Sequence, residues 1–205
     1  MNFFDVSKTD VKFYFKKNSK YYFSFFAVLV FSVAISVVIM LGSDSYLELI
    51  VSKNKVLFSF ISGGAKLSSV FWGRISSSLF LFLLIFVLGL NYYLSILSYL
   101  VVGYQFVIFL LTIYAVINVF YFSGALVCLL ILIPLNLLFF LSLIFFSVTC
   151  IERSHEAERQ KYFKFGFDAI FFSKLAVSLA VNFVLSFFVS YVLPLVLKSA
   201  VFTIY

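Results

Sequence analysis

The middle of this chain lacks charge. Between Ile75 and Ile151 the sequence runs for 77 residues without an Asp, Glu, Lys, Arg or His. A water-soluble domain needs charged residues on its surface, so this stretch excludes a soluble fold. A transmembrane helix takes about 20 apolar residues to cross a hydrocarbon core about 30 Å thick, so the stretch is long enough for three crossings. Charged residues make up 11% of the whole chain, less than half the share of roughly 25% in soluble proteins.

Residue types that carry chemistry are also scarce. The sequence has two cysteines, Cys128 and Cys150, and one histidine, His155. No Cys/His spacing typical of a zinc site is present, and neither is an HExxH motif, a GxSxG motif or a glycine-rich phosphate loop. We interpret His155 as a solvated residue of a charged loop. The sequence therefore predicts no enzyme activity, no catalytic, cofactor-binding or metal-binding residues, and no cofactor.

Apolar runs on both sides of the uncharged stretch predict an all-α integral membrane protein with about five transmembrane helices. The first run follows a basic segment and is too long for the apolar region of a signal peptide, so we interpret it as an uncleaved anchor. Short connections make consecutive helices antiparallel neighbours. The single membrane domain 1–205 divides into a cytoplasmic basic segment 1–20, transmembrane helices 21–42, 76–95, 97–118, 125–148 and 175–197, an external loop 43–74 and a cytoplasmic charged segment 149–174.

The distribution of basic residues predicts the orientation. With the N-terminus inside, segments 1–20 and 149–174 place ten Lys and Arg in the cytoplasm, whereas loop 43–74 and the C-terminal tail place five outside. This bias follows the positive-inside rule and accounts for the net charge of +7 without a nucleic-acid partner. We expect the N-terminus inside and the C-terminus outside, in the inner membrane of a bacterial cell. None of the five predicted crossings contains an ionisable residue, which argues against a carrier coupled to protons or sodium.

The two hydrophilic connections have different patterns. In loop 43–74, Leu47, Leu57 and Phe60 stand among charged residues, which favours an amphipathic helix on the outer face or against the bundle. A simple spacer is the alternative, and in the first case these three residues are candidate contacts for a partner. In segment 149–174, the spacing of the glutamates and arginines favours a helix with charge pairs three and four residues apart.

Pro134 and Asn136 interrupt the predicted fourth transmembrane helix. Proline removes one backbone donor and frees the carbonyl four residues earlier, here that of Leu130. We expect Asn136 to satisfy a freed backbone group of the same helix. The favoured interpretation is a kink held by the asparagine, and the alternative is a re-entrant or pore-lining break, which a membrane tolerates only inside protein or beside water.

Three short motifs follow one another in the second half of the chain. They are Gly89-Leu90 at the end of a membrane helix, Gly124 in a turn of small residues, and Ile133-Pro134-Leu135-Asn136-Leu137 within a later helix. This series resembles the stage II sporulation protein M family of bacterial membrane proteins, which has Gly-Leu, a glycine turn and Leu-Pro-Gln-Asn-Leu in the same order. The chain departs from the family where Leu135 replaces the glutamine and where Gln105-Phe106 replaces a Lys-Gly pair.

The resemblance implies a non-catalytic membrane scaffold. Such a scaffold recruits peptidoglycan-remodelling partners, the stage II sporulation proteins D and P, at the sporulation septum and engulfing membrane. An alternative is a permease-like membrane subunit of a transporter, driven by an ATPase that docks on segment 149–174, with Pro134 and Asn136 lining a path. An intramembrane enzyme is disfavoured because the sequence supplies no acid, base or metal ligands in one place.

Overall fold

The computed structural model of the protein describes residues 14–42, 67–159 and 169–192, and these residues form an all-helical bundle. The predicted all-α fold is therefore confirmed. The helices are α1 (Ser19–Gly42), α2 (Leu67–Gly89), the short α3 (Tyr92–Ser95), α4 (Leu97–Val127), α5 (Ile133–Arg159) and α6 (Ala169–Phe187), with one π-helical turn at Cys128–Leu132 and another at Phe188–Val192.

Four stretches of this bundle have the length and apolar composition of membrane-spanning helices, as expected for a multi-pass membrane protein. A fifth apolar helix, Phe171–Phe187, is shorter, and the predicted fifth crossing at 175–197 extends beyond the described residues. The four long stretches are Ser19–Gly42, Phe71–Gly89, Tyr92–Asn118 and Gly124–Glu156.

The packing is the reverse of that of a soluble bundle. On α1 the hydroxyl-bearing Ser32 and Ser36 are buried, whereas Phe31 and Leu41 are exposed on the surface of the protein. Small residues at the helix interface let backbones approach, and large apolar residues on the outside match the lipid tails. The surface composition of α1 is thus that of a helix surrounded by lipid.

Aromatic side chains fill the centre of the bundle. The ring of Phe82 on α2 lies 5.3 Å from that of Phe146 on α5, and the ring of Phe106 on α4 lies 5.1 Å from that of Phe140. These separations are typical of favourable tilted and edge-to-face pairs. The aromatic core fixes how α2, α4 and α5 lie against one another.

Helices α2 and α5 lie side by side and run in the same direction. Near the start of both, Arg74 contacts Asn136, and near the end of α2, Gly89 lies against Cys150. The two contacts are separated by about 21 Å of helix at 1.5 Å per residue. The interface between α2 and α5 therefore extends over most of the thickness of a membrane.

Helix α6 runs antiparallel to α2. The ring of Phe71 lies 6.5 Å from that of Phe187, and the ring of Phe86 lies 6.0 Å from that of Phe171. Residues later in α2 therefore lie beside residues earlier in α6. This register places Arg74 at the level of residues 182–186.

Helix α4 is kinked at Tyr121, whose φ of 49° and ψ of −126° lie outside the helical region. A positive φ is uncommon for a residue other than glycine. Tyr121 lies between the predicted transmembrane helices 97–118 and 125–148, but the chain resumes a helix there and passes through the π-helical turn Cys128–Leu132 into α5.

The bounds of two helices differ from the prediction. Helix α2 begins at Leu67 and its apolar span at Phe71, so it takes in the end of the predicted external loop 43–74. Arg74 therefore lies inside an apolar helix, which corrects the expectation that no crossing contains an ionisable residue. Helix α5 continues to Arg159 without a break at 148, so the predicted charged helix is a continuation of the membrane helix.

Candidate functional site: two polar clusters between the helices

The first polar cluster joins the N-terminal segment to the end of α5. Lys17 Nζ lies 2.7 Å from Glu152 Oε1 and 2.9 Å from Glu156 Oε1. One turn earlier, the hydroxyl of Tyr14 lies 3.1 Å from Thr149 Oγ1 and forms a hydrogen bond with it. We call these five residues the Lys17 cluster. The spacing of Thr149, Glu152 and Glu156 places these three residues on one face of α5. This face lies opposite the helical turn of residues 14–17, which carries Tyr14 and Lys17.

Electrostatics in the Lys17 cluster follow from these contacts. The hydrogen bonds that Lys17 donates to Glu152 and Glu156 raise its pKa above the ordinary value. Burial raises the pKa of Tyr14, and the nearby charge of Glu152 acts in the same direction. Because the Lys17 side chain is 49% exposed, its ion pairs contribute only about 0–1 kcal/mol. The cluster holds two distant segments together and leaves the lysine charged.

Aromatic contacts surround the Lys17 cluster. Lys174 Nζ lies 4.2 Å from the centre of the Tyr14 ring, and the Arg153 guanidinium carbon lies 4.7 Å from that of Phe171, both within cation–π range. The His155 ring lies 4.5 Å from the Tyr92 ring and is half-buried. The interpretation of His155 as a solvated residue was therefore wrong, because the ring packs where α3 meets α5.

The second polar cluster lies at the opposite end of the α2–α5 interface. Arg74 Nη2 donates a hydrogen bond to Asn136 Oδ1 at 3.2 Å, and Asn136 Nδ2 donates to the carbonyl oxygen of Leu132 at 2.7 Å. The amide of Asn136 thus links the guanidinium on α2 to the backbone of the π-helical turn before α5. Arg74 is half-buried there. We call Arg74 and Asn136 the Arg74 site.

The backbone around Asn136 explains why an asparagine fits there. Residues 128–132 form π-helical hydrogen bonds, and Ile133 N–H donates to the Cys128 carbonyl five residues earlier. Such turns widen a helix locally, and Pro134 cannot contribute a donor to the ladder. Asn136 donates to the Leu132 carbonyl in the preceding π-helical turn, and not to the Leu130 carbonyl that Pro134 was expected to free.

Helix α6 carries a polar stripe towards the interior of the bundle. Its members recur every fourth residue and all are buried. The hydroxyls of Ser186 and Ser190 have no hydrogen-bond partner among the residues that the structure describes. By the register of α2 and α6, the middle of the stripe lies at the level of Arg74. The stripe consists of Ser178, Asn182, Ser186 and Ser190.

The residues of the sequence motifs are spread along the bundle. At Gly89, a Cβ atom would lie 2.7 Å from the Cβ of Cys150, so the absence of a side chain permits the close approach of α2 and α5. Leu90 lies between α2 and α3, where its N–H donates to the Val87 carbonyl at 3.2 Å. Gly124 is buried after the kink in α4. Of the motif residues, Asn136 is the one that bonds to a charged side chain.

The candidate partner contacts Leu47, Leu57 and Phe60 lie outside the described residues. Within the described residues, no group of three or more His, Cys, Asp or Glu side chains is placed to hold a metal ion. Sequence reasoning missed Arg74 as a site residue because a charge at the end of a hydrophilic connection is ordinarily assigned to the loop. The signal available was that the residues on both sides of it already have helical, apolar character.

The two clusters make contacts between segments of the protein at the two ends of the α2–α5 interface. Comparison of the chain with protein-family models, with curated proteins and with solved structures gives no match.

Proposed function

We propose that this protein is a non-catalytic membrane scaffold that recruits peptidoglycan-remodelling partners at the sporulation septum, as its resemblance to the stage II sporulation protein M family implies. In this proposal five helices cross the inner membrane of a bacterial cell, with the N-terminus inside and the C-terminus outside. The helices anchor the protein, and segment 43–66, which precedes α2, offers the partner surface on the outer side. The partners are cell-wall hydrolases like the stage II sporulation proteins D and P.

One observation carries the proposal. The titratable side chains of both clusters are engaged in contacts between segments of the protein: Lys17 with Glu152 and Glu156, and Arg74 with Asn136. Catalysis needs a nucleophile, an acid or a base that faces a pocket where a substrate can bind. Charges engaged in holding helices together are instead what a protein needs if it works by presenting a rigid surface.

An affinity purification with matched variants tests the scaffold. The tagged full-length protein is solubilised in detergent from its native cells, and bound proteins are identified by mass spectrometry. We expect cell-wall hydrolases with the native chain and their loss when Leu47, Leu57 and Phe60 are all replaced by Ser. The Lys16→Gln variant, changed at an exposed residue near the other end of α1, serves as the control and should recover the same proteins. Hydrolases recovered equally with all three proteins would contradict the assigned surface.

A second candidate function is a membrane subunit of an ATPase-driven transporter. It is favoured by the continuity of α5, which runs as one helix from the Arg74 site to the Lys17 cluster. A rigid helix can transmit a displacement from one membrane face to the polar interior. In this alternative an ATPase docks on segment 149–174 and moves the helix beside Pro134.

The same purification separates the two functions. Recovery of an ATPase in place of hydrolases would support the transporter. In that case Glu156→Lys, which reverses an exposed charge at the end of α5, should abolish recovery of the ATPase. Unchanged recovery with that variant would rule out docking on this segment.

A further inference from the structure

We propose that the Arg74 site binds a phosphate group, carried by a phospholipid headgroup or free in solution. This inference does not depend on the proposed function, because it concerns the end of the bundle away from the Lys17 cluster. Arg74 lies in the first turn of the apolar span Phe71–Gly89. An ionisable residue inside a membrane span is costly and is typical of a functional site.

The guanidinium of Arg74 has more donors than the described part of the protein uses. Arginine carries five N–H donors in a planar fork, and a single hydrogen bond, to Asn136, is formed with the described residues. The ion pairs found among those residues join Lys17 to two glutamates and do not include Arg74. The hydroxyl of Ser186 lies near the same level but has no hydrogen-bond partner within the described residues, so it does not accept from Arg74. The remaining donors call for an acceptor from outside the described residues.

Asn136 holds the guanidinium in one orientation. Its Oδ1 accepts from Arg74 while its Nδ2 is fixed by the Leu132 carbonyl at 2.7 Å, so the amide cannot turn without losing a bond. An arginine whose fork is already oriented loses less side-chain entropy when it binds a planar or tetrahedral oxyanion. Two parallel N–H donors match two oxygens of a phosphate.

The residues around Arg74 are typical of the interface between hydrocarbon and headgroups, where lipid phosphate groups lie. The adjacent Trp72 is 63% exposed, and a tryptophan on the outside of a membrane helix is typical of the interface between hydrocarbon and headgroups. A Cβ atom at Gly73 would meet none of the described neighbouring residues within 4 Å, so this side of the helix beside the arginine is open to them. Arg74 itself is half-buried, with one side against α5. A basic residue between membrane helices at headgroup depth is suited to a lipid phosphate.

Trp72 is the single tryptophan of the chain, which makes the site directly observable. The full-length protein in maltoside micelles is titrated with phosphatidylglycerol that carries brominated acyl chains, and quenching of Trp72 fluorescence gives the half-saturating lipid fraction. Brominated diacylglycerol, which lacks the phosphate, is the matched probe. We expect saturable quenching by the phospholipid at a much lower fraction than by the diacylglycerol. Equal quenching by both lipids would overturn the proposal.

Substitutions at Arg74 and Asn136 test whether the phospholipid binds at the Arg74 site. Loss of a charge-assisted hydrogen bond weakens binding by about 10- to 100-fold, so Arg74→Gln should raise the half-saturating fraction by that factor. Arg74→Lys keeps the charge but lacks the planar fork of donors. Its half-saturating fraction should lie between those of the native protein and Arg74→Gln. Asn136→Ala should weaken binding by releasing the guanidinium, whereas Lys16→Gln should leave it unchanged. An unchanged half-saturating fraction in both Arg74 variants would refute the site.

Two further measurements complete the test. Size-exclusion profiles and the Trp72 emission maximum show whether Arg74→Gln is folded; if it is not, Arg74→Lys and Asn136→Ala carry the comparison. Inorganic phosphate is then added to the complex with the brominated lipid. Release of quenching by phosphate, absent with chloride at equal ionic strength, identifies a site that also takes free phosphate. Quenching that persists identifies the lipid headgroup as the source.

Discussion

The close approach of α2 and α5 at Gly89 can be tested by adding a single methyl group. In Gly89→Ala the new Cβ would lie 2.7 Å from the Cβ of Cys150 and 3.5 Å from its Cα. Carbon atoms in contact are ordinarily about 3.5–4.0 Å apart, so one helix has to move by about 1 Å. The atom in the way is next to the backbone and cannot be displaced by a change of rotamer.

The expected magnitude is the difference between two effects. Overpacking a tight interface costs about 1–3 kcal/mol, whereas replacing glycine by alanine in a helix gains up to about 1 kcal/mol. Because Gly89 is the last residue of α2, the gain there is small, and we expect a net destabilisation of about 1–2 kcal/mol. For a protein of this size the midpoint of thermal unfolding falls by about 2–4 °C per kcal/mol.

The assay is thermal unfolding of the purified protein in detergent, with Gly73→Ala as the matched control. Gly73 is in the same helix, and a Cβ atom added there would meet none of the described neighbouring residues within 4 Å, so alanine at this position should raise the midpoint. The midpoint of thermal unfolding should fall in Gly89→Ala and rise in Gly73→Ala, and this difference in sign is the result that tests the account.

Changes at Cys150 test whether its Cβ is the obstacle. Cys150→Gly removes that atom and should abolish the cost of Gly89→Ala, whereas Cys150→Ala removes only the sulfur and should leave most of the cost in place. A destabilisation that vanishes equally in both backgrounds, or a Gly89→Ala protein as stable as the native one, would refute this account of the interface.

Three other substitutions probe the remaining contacts. Asn136→Leu removes the donor to the Leu132 carbonyl and the acceptor of the guanidinium, so we expect a loss of about 1–3 kcal/mol in thermal stability; unchanged stability and accumulation would count against this role. Gly103→Ala places a Cβ 2.8 Å from Val28 Cγ1, at the end of a side chain, so its cost should be smaller than that of Gly89→Ala and should fall with Val28→Ala, which leaves the contact of 3.2 Å with Ser32 Oγ. Lys17→Met should cost about 0–1 kcal/mol at low salt and nothing at high salt. Because the pKa of Lys17 is raised on folding, this difference should be constant from about pH 7 to 9 and should shrink only as the pH rises above about 10.4, the ordinary lysine value.

The sequence was sufficient to predict the class of fold, because 77 uncharged residues leave few alternatives to membrane helices. It also placed an interruption near residue 121, because the predicted crossings 97–118 and 125–148 leave residues 119–124 between them, and Tyr121 has non-helical φ and ψ. These features depend on local composition, which a single sequence shows directly.

The bounds of α2 could not be predicted in the same way. A charge ended the apolar run, so the predicted crossing began at residue 76, whereas the structure continues the helix back through Arg74 to Leu67. The group that accommodates the charge, Asn136, is 62 residues away along the chain. Local reasoning places a charge in a loop whenever the partner that makes burial tolerable is distant in sequence.

The Lys17 cluster could not be predicted for the same reason, because its members are distant in sequence. The spacing of glutamates and arginines on α5 predicted charge pairs within that helix, and it gave no sign that Glu152 and Glu156 also pair with Lys17, 135 and 139 residues earlier. Which of several basic residues a glutamate selects depends on how the helices pack. That information lies in the aromatic core and in the glycine contacts, and not in the charge pattern.

The position of α1 has a consequence for how the protein is assembled during synthesis. Ser32 of α1 contacts Gly103 of α4, which is made 71 residues later. At about 5–20 residues per second, α1 has to wait for about 4–14 s in the membrane before this neighbour is synthesised. Its hydroxyls need no partner during that time, because Ser32 donates to the Val28 carbonyl at 2.8 Å and Ser36 to the Ser32 carbonyl at 2.7 Å. The first helix can therefore stand alone in lipid until the rest of the bundle arrives.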